Sequence, residues 1–298
     1  MDNENSHFCV TTGDDLLMKI AVLGDIHSNH IALEACMDRI AAEHADGIAF
    51  LGDYVSDCPY PQKTMRILRN IPDNYMTWFV RGNREDYMLN HMHSLTDGWH
   101  YCSQSGSLLY TFENLTGSDL RFFESMPIGM EVKLDRYEPF SICHASMQSN
   151  SELFCGDTPE TRRVMDEMTT RLLVCGHCHI FYELTVGGKT LVNAGSVGNP
   201  LHEGHDATIV MLTAEEGEQW SHELIRVPFD TEAVVGEFER SGLLEKANVW
   251  SRAYIAALRT GRNYNIEAVR YVAKESRRRK LPFDDESLWQ EAAEKLGI

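Results

Sequence analysis

Seven residues have the chemistry of metal ligands: Asp25 and His27 in GDIHSN, Asp53 in GDY, Asn83 in GNRE, His144 in CHAS, and His177 and His179 in GHCH. Two carboxylates, four imidazoles and one amide suit borderline divalent ions such as manganese, iron, cobalt, nickel or zinc. One tetrahedral or octahedral ion cannot use seven donors, whereas two ions sharing a carboxylate would use them all. Two metals about 3.5–4 Å apart deprotonate a water between them and hold a phosphate for in-line attack. Phosphoester hydrolysis is therefore the chemistry this set would serve.

Each piece has a bland reading by itself. Asp25-x-His27 is compatible with a helix cap and a surface imidazole, Gly52-Asp53 with a turn, and His144 beside Cys143 with a core histidine. What carries weight is the order of the set and its placement at the ends of predicted strands. VCGHCHI (174–180) has a competing parse as well, since Cys175-x-x-Cys178-His179 is the pattern that tethers a c-type haem.

The elements that must position these residues follow from periodicity. IAVLGD (20–25), GIAFLGD (47–53) and YMTWFVRGN (75–83) read as strands delivering polar residues at their ends, separated by a helix over 29–44 and another around 60–70. Such alternation implies βαβ units and a largely parallel sheet, with ligand sites outside the carboxyl ends of the strands. Residues 86–126 read as mainly helical, 129–134 and 139–145 as strands, and 157–168 as a helix capped by Asp157 with Pro159 in its first turn. LLVCGHCH repeats the strand-plus-ligand design, and 181–197 reads as a hairpin turned at Gly187-Gly188. Further strands fit 207–212 and 222–229. From about Asp230 the pattern is helical, which divides the chain into a leader (1–17), a central domain (18–229) and a helical extension (230–298).

At 298 residues and 43% hydrophobic, the chain can fill one large core or two modest ones. It has no run of about eighteen apolar residues, and its first residues are polar and acidic, so no membrane span is expected and a cytoplasmic location is. Because haem attachment normally follows export, this counts against the haem parse. Cysteines 9, 36, 58, 102, 143, 155, 175 and 178 lack the dense spacing of a disulfide scaffold and read as reduced thiols. With 27 basic against 45 acidic residues the net charge is −18, which argues against stable nucleic-acid binding. A small phosphorylated substrate, nucleotide-like in character, must be attracted locally, and metal cations would do so.

GDIHSN, GDY, GNRE, CHAS, GHCH and NAGSVGNP (193–200) together resemble the calcineurin-like metallophosphoesterases, the last being similar to the signature of the small bacterial and archaeal members. The resemblance implies an α+β fold, a β-sandwich of two mixed sheets flanked by helices, over roughly residues 19–213. It also implies that Asp25, His27 and His179 bind one metal, that Asn83, His144 and His177 bind the other, and that Asp53 bridges them. Manganese is the first choice of ion, with iron, zinc, nickel or cobalt behind it. Arg84, Asn83 and His144 are the expected catalytic residues. Many members have Gly-Asn-His where this chain has Gly82-Asn83-Arg84. An arginine cannot donate a proton at neutral pH but can clamp phosphate oxygens, so acidic leaving groups are favoured: phosphodiesters, nucleotides or dinucleoside polyphosphates. A phosphomonoesterase, a serine/threonine protein phosphatase and a non-catalytic metal-binding protein are the alternatives.

Other features receive structural readings. VGGKT (186–190) lacks the first glycine of a phosphate-binding loop, since Glu183 occupies that place. His91, His93, His202 and His205 read as solvated loop residues, with His30 a slightly stronger candidate for the site. Arg277 to Lys280 close a helix. The apolar stripe Val249, Trp250, Tyr254, Ala257 and Leu258 must bury itself. It would do so by walling the cleft, by covering core, or in a homo-oligomer contact.

Overall fold

The computed structural model describes residues 17–95 and 98–298, so the expected leader falls almost wholly outside the described residues. In chain order the elements are β1 (Leu17–Leu23), α1 (His30–Ala42), β2 (Gly47–Phe50), α2 (Pro61–Arg69), β3 (Met76–Phe79), α3 (Asn83–Met92), α4 (Gly106–Glu113) and α5 (Gly117–Ser125). Then come β4 (Gly129–Val132), β5 (Phe140–Cys143), α6 (Pro159–Asp166), β6 (Leu172–Cys175), β7 (Phe181–Val186), β8 (Lys189–Ala194), β9 (Ala207–Glu215) and β10 (Ser221–Val227). The remainder is helical: α7 (Thr231–Arg240), α8 (Leu243–Lys246), α9 (Asn248–Thr260), α10 (Tyr264–Arg279) and α11 (Glu286–Leu296).

β1 explains the layering. Side chains alternate along a strand, and Ile20, Ala21, Val22 and Leu23 are all fully buried, so both of its faces must be covered. Ile20 and Val22 face inward to meet Val174, Val192 and Phe140 of a second sheet, while Ala21 and Leu23 meet Leu33, Ile40 and Phe123 of the helices outside. The result is a sandwich of two five-stranded sheets, ordered β10-β9-β1-β2-β3 and β4-β5-β6-β8-β7, flanked by helices.

The largely parallel sheet expected from the βαβ order is only half right. Each sheet has three adjacent parallel strands, β1-β2-β3 along one edge of the first and β5-β6-β8 at the centre of the second, but β9 runs antiparallel to β1, β10 to β9, β4 to β5 and β7 to β8. For β7–β8 and β9–β10 the cause is connection length. The turn at Gly187-Gly188 and the short 216–220 link cannot make a crossover, so they force hairpins. The N-cap of α6 is also corrected. Thr158 accepts from the Thr161 amide, while Asp157 pairs with Arg162 on the surface. Hydroxyl reach to the third amide decides the cap, and Asp157 stands one residue too early.

The C-terminal helices bury their stripe in two layers. Val234, Phe238, Leu243, Tyr254 and Leu258 pack with Cys58 and Tyr110 of the preceding chain, and Val249, Val272, Leu288 and Trp289 form an outer cluster. No helix among the described residues is long and apolar enough to cross a membrane.

Candidate metal centre

The loops leaving β1 and β2 run side by side. Asp25 N donates to Gly52 O at 3.0 Å, His27 N to Asp53 O at 2.9 Å and Ser28 N to Tyr54 O at 3.0 Å. Their neighbour is the NAGSVG loop, where Ser196 Oγ and Gly198 N both donate to Asp25 O, at 2.8 and 2.9 Å. A side chain at Gly198 would strike the Ile26 carbonyl, so only glycine permits this approach. Asp53 sits at the N-terminus of α3, with its Oδ1 accepting from Arg84 N at 2.8 Å. Glu85 anchors that corner, its carboxylate accepting from the amides of Gly82, Asp53 and Tyr54, each at 2.8 Å.

Five of the seven candidate ligands occupy the left-handed region: Asp25 (φ 52°), His27 (50°), Asp53 (52°), His177 (72°) and His179 (62°). Each such non-glycine residue costs about 1 kcal/mol or more, and these conformations persist only where surroundings over-determine them. Here the interleaved loops do so.

All seven side chains converge. His27 Nε2 lies 3.0 Å from His179 Nε2, and Asp25 Oδ1 lies 3.3 Å from His179 Nε2 and 3.9 Å from His27 Nε2. His144 Nε2 lies 3.1 Å from both Asn83 Oδ1 and His177 Nδ1. Asp53 stands between the groups, with Oδ2 3.7 Å from His27 Nε2 and Oδ1 3.5 Å from His144 Nε2. Asp25 also reaches both, since its ligand atoms group with those of Asp53 and His144 as well as with those of His27 and His179.

The tautomers expose the fit to cations. His144 Nδ1 faces Leu51 O at 2.9 Å, and His179 Nδ1 faces Asn199 O at 3.1 Å. Carbonyls only accept, so these nitrogens carry the protons and both Nε2 atoms hold lone pairs. His27 Nδ1 lies 3.0 Å from Asp57 Oδ2, close but off the line of a well-formed hydrogen bond, and the carboxylate again favours a proton there. Two nitrogen lone pairs thus face each other at 3.0 Å beside Asp25 Oδ1, which is buried without a hydrogen-bond partner. A proton or a cation must come between them.

The titration of these groups follows. Burial alone would raise Asp25, but His179, His144 and His27 hold its carboxyl well below the usual carboxylate range. Burial would lower His179, yet Asp25 and Asp53 raise it above its ordinary value. His177 moves the other way, pushed down to about 4 by burial and then by His144. Burial and the Asp53 charge push Glu85 up to about 7, against the pull of the amides it accepts from.

Sequence reasoning missed Asp57. Its carboxylate, 2% exposed, gathers His27 Nδ1, Arg84 Nη2 at 3.1 Å, Ser56 Oγ at 3.1 Å and the Trp250 indole at 2.8 Å. Burial would raise it, but Arg84 and His27 hold it below its ordinary range. The only signal was an aspartate four residues beyond Asp53, and its partner Trp250 lies 193 positions away. Arg84, which lies over the Tyr87 and Trp250 rings at 5.7 and 6.0 Å, lines a cleft of about 500 Å³ together with His177 and His179. Trp250, Tyr254, Ile266 and Arg270 form its far wall, so the C-terminal helices do line the cleft.

The weaker candidates lie elsewhere. His30 meets Glu237 at 3.1 Å, His91 stacks on Trp99 at 4.2 Å, His93 pairs with Glu124, and His202 binds the carbonyls of Glu203 and Asp206. Neither they nor His205 join the grouped ligand atoms. VGGKT is the β7–β8 turn.

Residues 18–217 match the profile of the calcineurin-like phosphoesterase superfamily domain. An uncharacterized protein of Methanocaldococcus jannaschii is 25% identical over 245 residues, 76% of this chain and 94% of its own. A metallophosphoesterase from Sphaerobacter thermophilus superposes with a TM-score of 0.65 at 20% identity, covering 82% of this chain and 99% of that one. A hypothetical protein from Pyrococcus horikoshii OT3 gives 0.64 at 19% identity, covering 77% and 96%. At such identities the two structures speak to the fold alone, and that fold is the two-sheet sandwich described above.

Proposed function

The chain belongs to the calcineurin-like phosphoesterase superfamily, and on that premise we propose that it is a dinuclear metal-dependent phosphoesterase acting on esters or anhydrides with acidic leaving groups. The observation that supports this most is the set of facing acceptors. His27 Nε2 and His179 Nε2 at 3.0 Å, with the orphaned Asp25 Oδ1 beside them, make a pocket that a divalent cation satisfies. His144, His177 and Asn83 make a second, and Asp53 stands between the two with an oxygen toward each. Nitrogen and oxygen donors of this mix favour manganese, iron, cobalt, nickel or zinc.

Two divalent ions, when bound there, activate water and neutralise phosphate charge. The protein supplies the rest. Asp25, held well below the usual carboxylate range, is an ionised anchor beside Asp53, the Nδ1 contacts of His27, His144 and His179 fix which nitrogen faces inward, and the wall of α9 and α10 keeps bulk water from one side of the cleft. Arg84, fixed by Asp57 and lining the cleft with His177 and His179, would pair with the non-bridging oxygens of a bound phosphate. It has no proton to give a departing alkoxide, which favours nucleotide, dinucleoside polyphosphate or aryl esters over phosphoserine peptides.

The test is metal content and turnover together. Purified protein should carry close to two transition-metal ions per chain and hydrolyse bis-p-nitrophenyl phosphate in a manganese-stimulated reaction, and Asp53→Asn should impair both sites while His144→Ala chiefly empties one. One ion per active chain sinks the dinuclear assignment. Two ions without turnover of any ester or anhydride would make this a metal-binding regulatory protein.

A further inference from the structure

Two thiols meet at the mouth of the cleft. Cys178, between His177 and His179, directs its Sγ to Cys155 Sγ at 3.5 Å and lies 3.4 Å from Ile180 O. Both are half-buried and both line the cleft, unlike Cys36, Cys58, Cys143 and Cys175, which are buried.

The two sides of the contact differ in rigidity. Around Cys178, Gly176 N donates to His144 O at 2.8 Å, His177 N to Asp25 Oδ2 at 2.8 Å and Cys178 N to Gly176 O at 2.9 Å. Around Cys155 the chain has neither helix nor strand, and among the described residues no hydrogen bond is donated by the backbone amides of 152–155. A disulfide needs sulfurs about 2.05 Å apart, so closing from 3.5 Å takes a shift of about 1.5 Å, which the Cys155 side can supply. Leu153, 65% exposed at the cleft edge, lies two residues from Cys155, so a shift of Cys155 toward Cys178 moves a segment that borders the entrance.

We propose that Cys155 and Cys178 form a reversible disulfide with a hydroperoxide as oxidant, and that this bond narrows the entrance to the metal centre. One thiol attacks the peroxide; the O–O bond breaks, a sulfenic acid forms and one water or alcohol leaves. The other thiol then displaces the sulfenic oxygen as water, making the S–S bond. The thiols lose two electrons and two protons in total, and the peroxide takes them up. The bond does not depend on the phosphoesterase reading, whereas its effect on turnover does.

The experiment treats metal-loaded protein with hydrogen peroxide under mild conditions. Intact mass should fall by about 2 Da, a Cys155–Cys178 cross-linked peptide should appear, and dithiothreitol should reverse both. Extraction of the metals by a chelator should be slower from the oxidised protein, and any ester hydrolysis should be lost with oxidation and regained on reduction. Cys155→Ser and Cys178→Ser should each abolish the cross-link and the change in chelator rate. Absence of the cross-linked peptide overturns the site. A cross-link with unchanged chelator access overturns the narrowing, and so does equal reversible inactivation of Cys155→Ser. In a protein that turns over no ester, the mass and chelator arms still decide the question.

Discussion

Removing Asp57 should damage stability and metal binding together, because one buried carboxylate serves both. In Asp57→Ala, Arg84 keeps a side chain only 19% exposed and retains just the Asp53 carboxylate, at 3.9 Å. Stripping one partner from a buried pair costs about 3–5 kcal/mol, and the residual Asp53 contact places this case near about 3. The lost Trp250 hydrogen bond adds about 1 kcal/mol. At about 2 °C per kcal/mol for a chain of this size, the total of about 4 kcal/mol lowers the melting temperature by roughly 8 °C. His27 also loses the group that favours its proton on Nδ1, so the ion bound through its Nε2 should weaken by about 10–100-fold, with less effect on the ion at His144. Differential scanning calorimetry and chelator competition read the two effects. The pH dependence has a definite sign. Asp57 is depressed below its ordinary 3.8, so its contribution is fully present above that pH and is lost as pH falls through its folded value. The gap between wild type and variant should stay flat from neutral pH to about pH 5 and close in stronger acid. A variant with wild-type melting temperature and unchanged affinity for both ions would refute the coupling.

Four further outcomes are expected. Arg84→Ala should lower kcat about 10²–10³-fold on activated esters while keeping both metals, because the Arg84 backbone amide that holds Asp53 remains; phosphopeptides cleaved as well as aryl esters by both proteins would make the arginine a bystander. Lowering the pH should release the ion at His27 and His179 before the other, since His179 is raised and His177 is held down to about 4, and metal per chain after equilibration across the acid range measures this. In metal-free protein the His179 contribution runs oppositely to that of Asp57, being present below its ordinary 6.5 and lost as pH rises through the raised value, as the pH dependence of melting will record. Ile266→Asp, which sets a negative charge at the cleft wall, should raise KM about tenfold for anionic esters with little change in kcat, and an unchanged KM would place the substrate elsewhere.

The sequence made the strand-end candidate ligands legible because each follows a short apolar run, and a run buried on both faces can end usefully only at its carboxyl edge. The turn at Gly187-Gly188 and the convergence of Asp25, His27, Asp53, Asn83, His144, His177 and His179 could be read from local pattern, whereas the two-sheet sandwich came from the family resemblance alone. Local pattern failed where long-range contacts decide. The antiparallel arm of the first sheet depends on pairing between β1 and β9, almost 200 residues apart, and the α6 cap depended on a choice between Asp157 and Thr158 that hydroxyl reach settles. Asp57 and Glu85 escaped notice because their partners are backbone amides and residues brought near only by folding. The tail's apolar stripe announced burial but not its address, since periodicity records which face is covered and never what covers it.

The indole bond from Trp250 to Asp57 has a consequence for biosynthesis. The chain is made from its N-terminus at about 5–20 residues per second, so Trp250 is added roughly 4–14 s after His179. During that interval every candidate ligand exists, while Cys58 and Tyr110 still lack the covering of Phe238, Tyr254 and Leu258. A nascent chain therefore completes its candidate ligand set before the wall of α9 and α10 that lines one side of the cleft exists.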